Sequence, residues 1–123
     1  MKIWLVALLL SGPYLCRAQG MQLIVDSLRA NSLSGVVLDQ ADDPFPKVAV
    51  SRIECGKGEF RGIYDPVILQ QIQTDTNGTF SFPWKDHNRT CLQIQTLGFD
   101  TLQVEVKYAQ SGGKLKLKLH LGA

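Results

Sequence analysis

The sequence predicts an all-β protein built as a single seven-stranded antiparallel β-sandwich. Three observations carry that expectation. Short segments of alternating apolar and polar residues recur from residue 34 to residue 121, and a period of two marks a half-buried strand. Clusters of Gly, Pro, Asn and Asp separate them. No long amphipathic helical pattern interrupts the series.

The chain opens with Lys2 and the apolar run Ile3–Leu10, followed by Ser11-Gly12-Pro13. A charge, a short apolar run and a small-residue end form a secretory signal peptide over residues 1–18. The run is well short of the ~20 residues that span a bilayer. Cleavage after Ala18 is expected, with Ala18 at the −1 position and Cys16 at −3. A secreted or periplasmic protein follows. The alternative is a lipoprotein anchored through Cys16, which the bulky Leu15 before it disfavours. No second apolar run of spanning length exists, so no transmembrane span is expected in the mature chain.

Cleavage removes Lys2 and Arg17, two of the 13 basic residues, and leaves 11 against 11 acidic ones. A formally neutral chain argues against a nucleic-acid binder, which needs a basic face. Of three cysteines, Cys55 and Cys91 remain. An even count in an exported protein favours a disulfide enclosing about 35 residues; two unpaired thiols on different faces are the alternative.

Residues 19–33 form an N-terminal lead segment. Met21–Val25 reads as a strand, while Ile24 with Leu28 reads as one helical turn, and the pattern leaves both open. The first sandwich strand is Ser34–Asp39, followed by an acidic, proline-bearing turn region to Pro46. Lys47–Ile53 is the second; Val48 and Val50 share a face and Ile53 falls out of phase, which a β-bulge repairs. Residues 55–66 hold three glycines and a proline and read as a long loop.

Val67–Thr74 and Thr79–Trp84 are the third and fourth strands, joined by the clearest turn in the chain. Asp75 and Asn77 can bond nearby backbone N–H groups, Asn-Gly suits positive φ, and Phe80 and Phe82 share a face. The expectation is a hairpin. A calcium loop is the competing reading of Asp-x-Asn-Gly, but the later acidic ligands are missing.

Asp86–Arg89 is a polar turn. Thr90–Thr96 is the fifth strand, with Leu92 and Ile94 opposed to Cys91, Gln93 and Gln95. Gly98-Phe99 marks a bend. In the sixth strand, Thr101–Tyr108, Leu102, Val104, Val106 and Tyr108 should face in and Gln103, Glu105 and Lys107 out. After Ser111-Gly112-Gly113, the seventh strand sets four leucines (Leu115, Leu117, Leu119, Leu121) against Lys114, Lys116, Lys118 and His120. The lysine stripe suits a wet face that also guards an edge against strand addition.

The order Ser34-Gly35-Val36-Val37-Leu38-Asp39, Val48-Ala49-Val50, Thr74-Asp75-x-Asn77-Gly78-x-Phe80-x-Phe82, Leu92-x-Ile94 and Gly98-Phe99 resembles the carboxypeptidase regulatory-like domain. That family is a transthyretin-like (prealbumin-like) β-sandwich, immunoglobulin-like in outline. The resemblance covers residues 34–121, and each of its motifs is short. The glycine-rich insert at 55–66 and the Cys55/Cys91 pair depart from the family pattern. The resemblance implies a non-catalytic accessory or binding module with no active-site residues to transfer. It extends to carbohydrate-binding-like sandwiches.

The chemistry read from the residues agrees. His87 lies in a polar turn and His120 on a strand surface, with no nucleophile motif and no His-Glu-x-x-His. No catalytic residue, cofactor or metal is expected, and a transthyretin-like hydrolase finds little support in two separated histidines. Trp84 caps the core with Phe80 and Phe82, or serves with Tyr64 as a stacking platform for a sugar ring. Asn77-Gly78-Thr79 and Asn88-Arg89-Thr90 are glycosylation sequons, relevant in a host that glycosylates exported proteins. The expected function is an exported, non-enzymatic module with a structural or protein-interaction role at the cell envelope or outside the cell. The alternative is a carbohydrate-binding module. The partner is a protein or a glycan.

Overall fold

The computed structural model describes residues 22–122; the signal segment, its cleavage point and Cys16 lie outside the described residues. Eight strands follow one another: β1 (Leu23–Ala30), β2 (Leu33–Leu38), β3 (Ala49–Ile53), β4 (Ile68–Gln73), β5 (Thr79–Phe82), β6 (Thr90–Ile94), β7 (Thr101–Tyr108) and β8 (Leu115–Lys118). No helix occurs among the described residues. One sheet has the order β1-β7-β6-β3-β4 and the other β5-β2-β8. The protein is therefore all-β, but with eight strands in two mixed sheets rather than seven antiparallel ones. β1 runs parallel to β7, and β2 parallel to β8.

The eighth strand comes from the lead segment, and its pattern explains why it was ambiguous. Ile24, Leu28 and Ala30 lie against the core at a strand's spacing, but Asp26 in the same row is exposed. One charge in the inward row breaks the alternation. Pairing with β7 settles the conformation through eight consecutive partners, Leu23↔Thr101 to Ala30↔Tyr108.

The two sheets share one apolar core. Leu33, Val37, Phe80, Phe82, Leu115 and Leu117 come from the smaller sheet, Val50, Leu92, Ile94, Val104 and Val106 from the larger. The bulge expected in β3 is corrected: the β3–β4 register does shift between Arg52 and Ile53, but the extra residue is Leu69 on β4, while β3 keeps a regular register with β6 and Ile53 stays out of phase with Val50, buried opposite Cys91.

Three expectations about facing are corrected. Leu121 does not join the inward leucines and is 56% exposed, bridging to Phe99 beyond the end of β8. Tyr108 faces solvent at the end of β7. Gln103 and Glu105 are buried, not wet, because the 55–66 loop covers the outer face of the larger sheet.

The Asp75–Gly78 turn forms as its residues dictate, but it does not make a hairpin. β4 and β5 belong to different sheets, so the turn carries the chain around the corner between them. Gly78 has φ 72°, and a Cβ there would stand 2.8 Å from the Phe45 nitrogen. Asp75 organises the corner: its Oδ1 accepts from the N–H groups of Asn77 and Thr79, each at 2.9 Å, and its Oδ2 accepts from the Thr79 hydroxyl. These donors, the Thr79 hydroxyl foremost and then the Thr79 backbone, hold the carboxyl below its ordinary value of 3.8. A lowered folded-state value means the turn's contribution is present above the unfolded value and is lost as pH falls through the folded one. The Asp75 carboxyl should thus titrate below 3.8 by NMR, and Thr79→Val should move its midpoint back up. A midpoint at or above 3.8 in the native protein would rule out this wiring.

Candidate functional site

The outer face of the larger sheet carries the polar residues that sequence patterning assigns to solvent, and the structure uses them to hold a loop. The Cys55–Cys91 disulfide, with Cα atoms 5.4 Å apart, ties the start of the loop to β6. That spacing is ordinary for a disulfide. Arg89, just before β6, reaches over the loop backbone. Its Nη1 donates to Gly58 O at 2.6 Å and to Glu105 Oε2 at 2.9 Å, and its Nη2 donates to Gly56 O at 2.8 Å. Glu105 also accepts from Ser27 Oγ at 3.2 Å, which brings β1 into the network. An arginine fork suits this task because it satisfies carbonyls and a carboxylate in one plane. Glycines at 56 and 58 keep the carbonyls within its reach.

Further along, Gln103 treats the loop as a strand partner. Its Oε1 accepts from Ile63 N at 2.8 Å and its Nε2 donates to Ile63 O at 2.7 Å and to Gln93 Oε1 at 2.7 Å. Gly62 lies directly against Leu23 and Val25 of β1.

Where the loop leaves the sheet, a cleft of about 220 Å³ opens. Tyr64, Asp65 and Pro66 form one wall, Gln22 and Leu23 another, and Gln93, Gln95, Thr101 and Gln103 the floor. Tyr64 stands 86% exposed at its mouth. Beyond the cleft, Val67 and the first two residues of β4, Ile68 and Leu69, are each at least half exposed. Four exposed large apolar side chains thus fall within Tyr64–Leu69.

The structure separates the two aromatics proposed to share a ligand. Trp84 lines a different hollow, beside Arg52, Gln70 and Lys85. It is half-buried against the core, its Nε1 donates to Asn88 O at 2.8 Å, and it meets Tyr108 edge-on at 5.6 Å. His87 is not simply solvated: its ring stacks on Tyr108 at 3.9 Å with planes 6° apart. Nothing in the spacing of residues 87 and 108 announces that contact. His120 is exposed after β8. Asn77 is exposed at the corner turn, while the Asn88 Nδ2 donates to Asp86. Among the described residues, no group of three His, Cys, Asp or Glu side chains could hold a metal ion, and no helix is long and apolar enough to cross a membrane.

No protein-family model matches the chain, and no curated protein matches it significantly in sequence.

Proposed function

We propose that the chain is an exported, non-catalytic β-sandwich module that binds a protein partner at the cell envelope or outside the cell, by accepting an extended polypeptide segment along β4. The observation that carries this reading is the state of the four sheet edges. β8 is lined by Lys114, Lys116 and Lys118, with Lys118 paired to Asp42 at 3.1 Å. β1 carries Asp26 and Arg29, and β5 is only four residues long. These are ordinary defences against unwanted strand addition. β4 is an edge strand of the larger sheet with no charged residue from Val67 to Gln73, in the sequence Val-Ile-Leu-Gln-Gln-Ile-Gln. The bulge opposite Arg52/Ile53 leaves Ile68 and Leu69 both half exposed. An extended segment added here gains main-chain hydrogen bonds for affinity and apolar contacts for specificity.

The Cys55–Cys91 disulfide supports an oxidising compartment. The order of sequence motifs on β2, β3, the corner turn and β6 supports kinship with carboxypeptidase regulatory-like modules.

The test uses a displayed library of extended peptides about ten residues long, a length that covers a typical strand. Selected peptides should slow hydrogen exchange at the 67–73 amides. They should lose about tenfold or more in affinity to Leu69→Lys, a loss of ~1.4 kcal/mol. Peptides that bind equally well to an Ile68→Lys/Leu69→Lys double variant would overturn the reading.

A further inference from the structure

We propose that the cleft beneath Tyr64 binds a neutral saccharide, taking one pyranose ring. This site is distinct from the β4 edge, and its tests alter none of the residues altered there.

The argument starts from a chain of amide orientations that the backbone fixes. The Ile63 N–H needs an acceptor and the Ile63 carbonyl a donor, so Gln103 must present Oε1 to the first and Nε2 to the second. The remaining Nε2 proton of Gln103 then goes to Gln93, which must present its own Oε1. That leaves the Gln93 NH2 group turned away from Gln103. Gln93 is 7% exposed and lines the floor of the cleft. No hydrogen bond from its Nε2 forms among the described residues, and that atom is open to the cleft rather than enclosed, the one enclosed side-chain nitrogen or oxygen without a partner there being Arg52 Nε. Water satisfies such an accessible donor, so a ligand that displaces the water from this floor must offer an acceptor.

The walls ask for more. Asp65 offers only acceptors, Gln22 and Gln95 offer both kinds of group, and Thr101 adds a hydroxyl. A row of hydroxyls, each able to donate and accept, satisfies this mixture; a hydrocarbon or a simple anion does not. Asp65 is the charged residue of the lining, so the cleft repels anionic sugars and suits neutral ones. At the mouth, the Tyr64 ring is nearly free and can lie against the apolar C–H face of a sugar ring. At about 220 Å³ the cleft is below the roughly 300–1,000 Å³ of pockets that enclose drug-sized ligands. It fits one ring of a chain that continues into solvent.

The experiment is a glycan array of neutral hexose and N-acetylhexosamine oligosaccharides, followed by NMR titration of the disulfide-intact protein with the best binder. Saturable binding with a shift of the Gln93 side-chain NH2 resonances is expected. Tyr64→Ala and Gln95→Ala should each weaken it about tenfold, the effect of one good contact. Gln93→Glu keeps the acceptor that Gln103 needs and removes the free donor, so it should abolish binding. If Gln93→Glu fails to fold, the two exposed substitutions decide alone. Absence of any neutral saccharide binder, binding unaffected by Tyr64→Ala and Gln95→Ala, or occupation of the cleft by peptides instead of sugars would each overturn the proposal. Loss of peptide binding through Leu69→Lys with saccharide binding intact would separate this site from the β4 edge.

Discussion

Removal of the Cys55–Cys91 bond should lower the free energy of unfolding by about 3–4 kcal/mol, the value the chain-entropy model assigns to a loop of this length. The separation is 36 residues, and the closed ring contains the covering loop, β4, the corner turn and β5. The native state gives a second reason for a large effect. Cys91 is fully buried in β6, opposite Ile53 at the end of β3. Without the bond, the 55–66 loop relies on Arg89 and Gln103, whose hydrogen bonds are worth a net ~0.5–1.5 kcal/mol each for the neutral amide and about 1.5–3 kcal/mol each for the charged guanidinium. Once the loop lifts, Gln93, Gln103 and Glu105 lose the cover that matches them. A Cys55→Ala/Cys91→Ala variant should show the loss as a lower denaturant midpoint. It should also show fast exchange at the Ile63 amide, because that amide donates to Gln103 only while the loop is docked. A loss under about 1 kcal/mol would place the loop's stability in the Arg89 and Gln103 contacts rather than in the crosslink. Intact mass with and without reductant comes first, since two free thiols in the native protein would remove the premise.

Much of this fold was legible in the sequence because most strands have one dry and one wet row. The facing of β5 and of the C-terminal strand read correctly for Phe80, Phe82, Leu115, Leu117 and Leu119, though not for Leu121. The phase error at Ile53 was legible, but it marks a residue buried on the opposite face beside Cys91 rather than a bulge in β3. The larger sheet misled for a physical reason. Its outer row is polar because it binds a loop, not because it meets water, and alternation cannot distinguish those two uses of a glutamine. Gln93, Gln103 and Glu105 look solvated in the pattern and are buried in the fold. Pairing between distant segments was equally hidden. Parallel neighbours such as β1 and β7 need long crossovers, and nothing local in Leu23–Ala30 points to Thr101–Tyr108. The Asn77-Gly78 turn gave its own geometry but not its role, since the same four residues close a hairpin or turn a corner between sheets. Tyr64 and Trp84 were paired as stacking residues, but they line different hollows, because membership of two loops says nothing about which hollow each loop lines.

Gly35→Ala should destabilise the protein by about 3 kcal/mol, at the upper end of what overpacking costs. Gly35 lies in β2, the central strand of the smaller sheet, between Phe80 of β5 and Leu115 of β8. A Cβ at this position would stand 2.0 Å from the Leu115 carbonyl oxygen and 2.6 Å from its carbonyl carbon. The obstacle is backbone on a paired strand, so no side chain can rotate away to relieve it. β8 must move, and with it Leu115, Leu117 and Leu119, which are all core residues. The sign of the effect makes the test decisive. At a site without such a contact, Gly→Ala removes freedom from the unfolded chain and stabilises by ~0.4–1 kcal/mol. Gly35 would follow that rule if β2 and β8 were not closely apposed in parallel. Equilibrium urea unfolding of Gly35→Ala, with hydrogen exchange at Leu115–Lys118 as the local readout, therefore reports directly on this pairing. A neutral or stabilising substitution would refute the close β2–β8 approach, and with it the mixed character of the smaller sheet.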